Sequence, residues 1–155
     1  MNKIILYPDK ILKRKSEEVG EVNEEIRILA GEMVEIMVKE DGIGLAAPQV
    51  GILKRIIVVM MEKGPETFVN PRIIVKSKET EIMEEGCLCL PGVFLKIKRA
   101  KKVEVEALNL QGEKVRMKTE GLTARIFQHE IDHLEGILFI DRASLWQKIK
   151  LKIWT

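Results

Sequence analysis

The chain has 155 residues, 46% apolar and 32% charged, with a formal net charge of +2. That is the balance of one compact domain with a real hydrophobic core. It carries no global basic excess of the kind that marks a nucleic-acid binder, and its longest apolar run, Ile56 to Met61, is far too short to span a membrane.

The opening stretch, Met1 to Pro8, lacks the apolar core and small-residue cleavage site of a secretory signal, so the cytosol is the expected compartment. Asn23 to Lys39 reads as a helix, because Ile26, Leu29, Ala30, Met33, Val34 and Met37 fall on one stripe at helical spacing. Asn23 is its expected N-cap, Glu24 and Glu25 suit the positive end of the dipole, and Gly42 and Gly44 end it. From Ile52 to about Arg116 the signal turns to strands. Ile56 to Met61 is short, apolar and β-branched, Thr67 to Val75 is interrupted by Pro71, and Val103 to Leu108 alternates with period two. Asn109 to Gly112 reads as a hairpin turn into Lys114 to Met117. A second helix is expected from Thr123, as its cap, to Leu134, with Gly136 as its stop and Leu122, Ile126, His129 and His133 along its inward side. Ile137 to Ile140 reads as a short strand. The tail, Arg142 to Thr155, has a helical stripe in Leu145, Trp146, Ile149 and Ile153 but a period-two run over Lys148 to Ile153; packing on the domain is expected, since Trp146 and Trp154 argue against full exposure. No repeat or linker interrupts residues 1–155, which are read as a single domain. The order predicts an α+β fold, a mostly antiparallel sheet wrapped around the second helix.

Both histidines of the chain lie in His129-Glu130-Ile131-Asp132-His133. Spacing of i and i+4 stacks two imidazoles on one helix face, a grip for one metal ion, with Glu130 placed to handle a proton from water. The bland reading is a surface helix with two incidental histidines. No suitable third ligand follows, because the remaining acids are Glu135 and Asp141 and Glu135 sits nearly opposite His133 around the helix. The third ligand is therefore sought upstream, and Cys87, in Glu85-Gly86-Cys87-Leu88-Cys89-Leu90-Pro91-Gly92, is the strongest candidate. A Cys/His/His set leaves a fourth position open, a catalytic pattern; an isolated cysteine would read as a small buried hydrophobe. In an extended segment Cys87 and Cys89 point to opposite faces, so a disulfide between them would be strained. Free thiols in a reducing compartment, or a metal-bound thiolate, are the readings left. Asp41 to Gly51 is no phosphate loop. Its small residues would let backbone pass close to a ligand, with Gln49 offering an amide to a bound carbonyl; taken alone, it reads better as a tight connection.

Together the three stretches change that reading. Gly42-Ile43-Gly44-Leu45-Ala46-Ala47-Pro48-Gln49, Glu85-Gly86-Cys87-Leu88 and Gln128-His129-Glu130-Ile131-Asp132-His133-Leu134-Glu135-Gly136 resemble, in order, the three signatures of bacterial peptide deformylase. The resemblance runs from Leu6-Tyr7-Pro8 to Phe139-Ile140-Asp141-Arg142. It implies a metallohydrolase that removes the formyl group from the formyl-methionine of new polypeptides. The metal, usually Fe2+ with Zn2+, Ni2+ or Co2+ able to substitute, would sit on Cys87, His129 and His133. Glu130 would move the water proton to the leaving amine, while the Gln49 side chain and the Leu88 backbone N–H hold the oxyanion. Ile43, Gly44, Met83, Leu122 and Ile126 would bind the methionine. Partners would be formylated nascent peptides and, as in some members of the family, the ribosome near the exit of the nascent chain, through the tail. Glu85 and Arg99 read either as a pair steadying the cysteine loop or as a solvated surface pair. Cys89 stands where the family commonly has serine, which weakens local hydrogen bonding and adds an oxidation liability.

Two other classes compete. A metallopeptidase would need the downstream ligand that is missing. A non-catalytic zinc module would take Cys89 as a fourth ligand and would make Glu130 dispensable.

Overall fold

The computed structural model describes residues 3–154; within the last helix, side chains are described as far as Leu151. Helix α1 (Glu24–Lys39) starts where expected, with the Asn23 side chain accepting from the Ile26 N–H. It ends at Lys39, as read. Asp41, at φ 58°, takes the left-handed position, and the Asp41 and Gly42 N–H groups return to Val38 and Met37 carbonyls.

Strands β1 (Gly44–Ala46), β2 (Ile56–Met61), β3 (Gly64–Lys76), β6 (Lys102–Leu108) and β7 (Lys114–Glu120) form one antiparallel sheet in the order β1-β2-β3-β6-β7. Strands β4 (Thr80–Cys87) and β5 (Leu90–Ala100) form a separate hairpin. The apolar run of β2 has a simple cause. Ile57 and Val59 pack in the core shared with helix α2 (Gly121–Leu134), while Ile56 and Val58 pack in the core shared with α1, so both faces of the strand are covered. In β6, Val103, Val105 and Ala107 point inward, and Glu104 and Glu106 point out to Arg116 and Arg72. β3 carries bulges next to Pro71, where Asn70 adopts φ 50°.

Helix α2 runs through the middle. Ala124, Phe127, Ile131 and Leu134 fill the sheet core, with Phe127 edge-on to Phe68 at 5.0 Å. The helix begins at Gly121 after Glu120, so Thr123 is inside it rather than its cap. Gly136, at φ 71°, does stop it.

Two further expectations change. Ile137 to Ile140 is not a strand: the Asp141 carboxylate accepts from the Leu138 N–H and winds Phe139–Arg142 into a 3-10 turn, burying Leu138 and Phe139 in different clusters. The tail is helix α3 (Leu145–Trp154), tied to β5 by Gln147, whose amide bonds both the N–H and the carbonyl of Lys96. Its stripe does not pack inward. Trp146 is 76% exposed, and Leu145 and Ile149 are also exposed; the side chains of Ile153 and Trp154 lie outside the described residues. No described helix is long and apolar enough to cross a membrane.

Candidate metal centre

Helix α2 presents three stripes. The apolar one faces the sheet. Leu122, Ile126 and Glu130 face a cavity of about 550 Å³ that opens between β1, the β4–β5 hairpin and the helix. Arg125, Gln128, His129 and Asp132, at i, i+3, i+4 and i+7, include the residues that meet the hairpin.

The hairpin brings the thiols to the histidines. Cys87 ends β4, and Leu88-Cys89 forms the two-residue turn before Leu90. Cys87 Sγ lies 3.3 Å from His133 Nε2 and 3.1 Å from Cys89 Sγ. The expectation that the two cysteines point to opposite faces is therefore corrected: the chain turns at Cys89 instead of extending, and both thiols are free. Donor atoms of Cys87, Cys89 and His133 all lie within 4.8 Å of one another. His129 lies beside this cluster, its ring centroid 5.2 Å from that of His133. The His129 Nδ1 is held by Glu85 Oε1 at 2.8 Å, which leaves its other nitrogen as the donor it can offer. A carboxylate behind a ligating imidazole is the usual device for fixing its orientation.

Glu85 is the hub of a buried polar seam. Arg99 bonds it twice at 2.9 Å, and Arg125 bonds it at 2.6 Å. Arg99 also reaches Asp132 at 2.6 Å, and Arg142 bonds Asp132 from outside. Burial opposes ionisation of Glu85, but hydrogen bonds from His129 and Arg99 override it and hold its carboxyl well below the usual range. Burial likewise opposes a charged His129, yet bonds to Cys87 and Glu85 lift it to about 10. The Cys87 thiol is pushed up by its Cys89 contact and by burial. A cation binding here must displace these protons, since metal ligands bind deprotonated.

Glu130 sits apart from that seam. It is buried, its Oε2 has no hydrogen-bond partner, and burial lifts its carboxyl to about 7, with the negative Glu85 adding and His129 opposing. It lies against bare backbone, since a Cβ on Gly44 would stand 2.5 Å from Glu130 Oε1. Gln49 is fixed across the cavity floor: its Oε1 accepts from the Ala46 N–H at 2.8 Å, so its Nε2 faces Cys87 Sγ at 3.4 Å. Cys87, Cys89 and His133 are donors of the kind that hold one divalent cation, with His129 next to them on the helix and the partnerless Glu130 oxygen at the same cavity.

The cavity is lined by Ile43, Gly44, Gln49, Cys87, Leu88, Leu122, Ile126, His129 and Glu130, as expected. Met83 is not part of that wall. Arg125, bonded to Glu81 O and to Glu85 on either side of it, lines this stretch instead. Glu85 and Arg99 form a buried pair, not a surface one. Sequence reasoning missed Arg125, Asp132 and Arg142. Arg125 and Asp132 share a polar stripe at helical spacing, a signal that was available; Arg142 carried none, because its partner is distant in pattern though near in space.

The sequence pattern of the family described as polypeptide deformylase matches residues 1–148. A peptide deformylase of Desulforudis audaxviator is 47% identical over 148 residues, 95% of this chain and 96% of the relative. The crystal structure of peptide deformylase from Thermotoga maritima superposes with a TM-score of 0.90 at 43% identity, covering 93% of this chain and 98% of that one. That of a Synechococcus elongatus peptide deformylase in complex with actinonin gives 0.92 at 38%, covering 98% and 85%.

Proposed function

This chain belongs to the polypeptide deformylase family, metal-dependent hydrolases that remove the N-formyl group from nascent peptides, and from that premise we propose how its residues divide the work. Residues 1–155 act as one catalytic domain in the cytosol. Cys87, His129 and His133 hold the single metal ion, ferrous iron by family preference, with zinc, nickel or cobalt able to replace it. When bound, the ion supplies Lewis-acid activation of water and of the formyl carbonyl. Glu130 accepts the proton of the attacking water and passes it to the departing amine nitrogen, a role suited to a carboxyl held near neutral pH. Gln49 Nε2 and the Leu88 backbone N–H donate to the oxygen of the formyl group as charge develops on it. Ile43, Gly44, Leu122 and Ile126 take the methionine side chain.

The observation that carries this reading is Glu130 Oε2: a buried carboxylate oxygen without a partner, on the same helix face as a cavity floored by Cys87 and Gln49. Glu85, locked by Arg99 and Arg125, supplies the rigid backing for His129. The test is anaerobic purification with metal analysis, paired with formate release from formyl-Met-Ala. One metal per chain and rapid formate release are expected, with an acetyl-Met-Ala control left intact. A metal-replete protein that releases no formate would favour the closed zinc module.

Ribosome contact through α3 belongs to the same proposal. Exposed Leu145 and Trp146 beside exposed Lys148 and Lys150 support it. Removing residues 144–155 should leave formyl-Met-Ala turnover intact and abolish salt-sensitive co-pelleting with ribosomes; unchanged pelleting would end that part of the reading.

A further inference from the structure

Cys89 has no task in the chemistry above, yet its placement is specific. Its Sγ lies 3.1 Å from Cys87 Sγ, and the side chain is buried between Leu12 and Leu138. Its backbone carbonyl accepts from the Tyr7 N–H at 2.9 Å, which fixes the turn. Cys87, by contrast, is only partly buried and lines the cavity. One thiol faces whatever enters the site, and the other waits behind it. The chain has no third cysteine to compete.

We propose that Cys87 and Cys89 form a reversible disulfide when a peroxide enters the cavity, so that oxidation expels the metal instead of destroying the thiol. The Cys87 sulfur, beside the Gln49 amide at 3.4 Å and His133 at 3.3 Å and on the cavity wall, is the one a small oxidant meets first. It attacks one peroxide oxygen: an S–O bond forms, the O–O bond breaks, and the departing hydroxide takes the Cys87 thiol proton and leaves as water. Cys89 then attacks the Cys87 sulfur. The S–S bond forms, the S–O bond breaks, and the Cys89 proton leaves with the hydroxyl as a second water. In sum, two thiols and one hydrogen peroxide give one disulfide and two waters. The sulfur atoms need to close by about 1 Å to reach bonding distance. Without Cys89, the Cys87 sulfenic acid has no neighbouring thiol and proceeds to sulfinic and sulfonic acids.

Expulsion of the metal rests on Cys87 being a ligand; formation of the disulfide does not. The experiment uses the zinc-loaded enzyme, so that the metal has no redox chemistry of its own. Hydrogen peroxide is added, and intact mass, free thiols and zinc released to a chromogenic chelator are followed together. Wild type should lose two hydrogen masses and both free thiols, release its zinc in step, and regain thiols and zinc binding after a thiol reductant. Cys89→Ser should instead gain two or three oxygens and stay modified after reductant. Cys89→Ala should do the same, which guards against a folding defect in either variant. Identical oxygen adducts in wild type and both variants, or disulfides formed only between chains, would overturn the inference. An intrachain disulfide with zinc still bound would leave the thiol pairing standing and overturn Cys87 as a ligand, so the two failures are separable.

Discussion

Helix α1 buries Ile26, Leu29, Ala30, Met33 and Met37 and leaves its polar residues outside, whereas α2 buries every residue from Ala124 to Leu134, including Arg125, Gln128, His129, Glu130, Asp132 and His133. Buried polar groups are costly unless partnered. On α2 most are: Gln128 bonds the Ala100 backbone, Arg125 and His129 bond Glu85, and Asp132 bonds two arginines. Two polar atoms of α2 lack a hydrogen-bond partner, Glu130 Oε2 and His133 Nδ1. α1 is thus a brace that works by apolar area, while α2 is held by a polar frame built around a carboxylate and an imidazole that each keep one atom unpaired.

The sharpest way to separate the two is Glu130→Gln. Loss of the base should lower turnover by about 10²- to 10⁴-fold. Metal content and Tm should hold, because a neutral amide of the same shape replaces a buried acid. Formate release near the wild-type rate would remove Glu130 from the mechanism.

Next in size is a paired test of frame against brace. Arg99→Leu removes the cation that Glu85 and Asp132 share, leaving each with one arginine, and should cost up to about 3–5 kcal/mol. It should also loosen metal binding by about 10- to 100-fold, through the lost support of His129. Met33→Ala, in the α1 core, should cost a similar amount, about 2–5 kcal/mol, with metal content and kcat per folded molecule unchanged. Urea unfolding and metal titration of both variants read this out. If Met33→Ala lowers metal affinity as Arg99→Leu does, the division between the helices fails.

Acid probes the frame through Asp132. Burial by itself would raise the Asp132 pKa, but hydrogen bonds from Arg142 and the charge of Arg99 outweigh it and hold it low. Because the unfolded chain takes up the proton more readily, this stabilisation is complete above the unfolded carboxylate value of about 4. It is lost as pH falls through the lower folded value. Tm of wild type should therefore fall more steeply on acidification than that of Asp132→Asn; parallel curves would mean that Asp132 does not drive the acid limb.

The smallest effect concerns the thiols. Cys89→Ser should leave turnover near wild type and keep the thiolate-to-cobalt absorption band, while Cys87→Ser should lose the band. The reverse pattern would mean that the ligand is Cys89.

Both helices, the alternation of β6 and the His-Glu-Ile-Asp-His grip were legible in the sequence because each is a local period. The resemblance then supplied the roles of Gln49 and Leu88, which spacing alone left open. What stayed hidden was long-range. No local pattern tells that the turn at Leu88-Cys89 folds Cys89 Sγ back beside Cys87, nor that Asp141 captures the Leu138 N–H and turns an apparent strand into a 3-10 turn. The α3 stripe was legible as a helix face, but its exposure follows from what it lacks as a neighbour, which periodicity does not carry.

Gly44 makes the site brittle at one point and pliant beside it. Its place in the ladder opposite Val59 prevents β1 from backing away, and any side chain there would run into Glu130 and Ile126. Ile43, next along the chain, is 50% exposed at the cavity rim, and Leu122 is similarly open. Under selection by a tight cavity-filling inhibitor, escape would be channelled to the rim, through changes at 43 or 122 that reshape the pocket mouth. Position 44 would stay silent, because the same atom that excluded the drug would also displace the base.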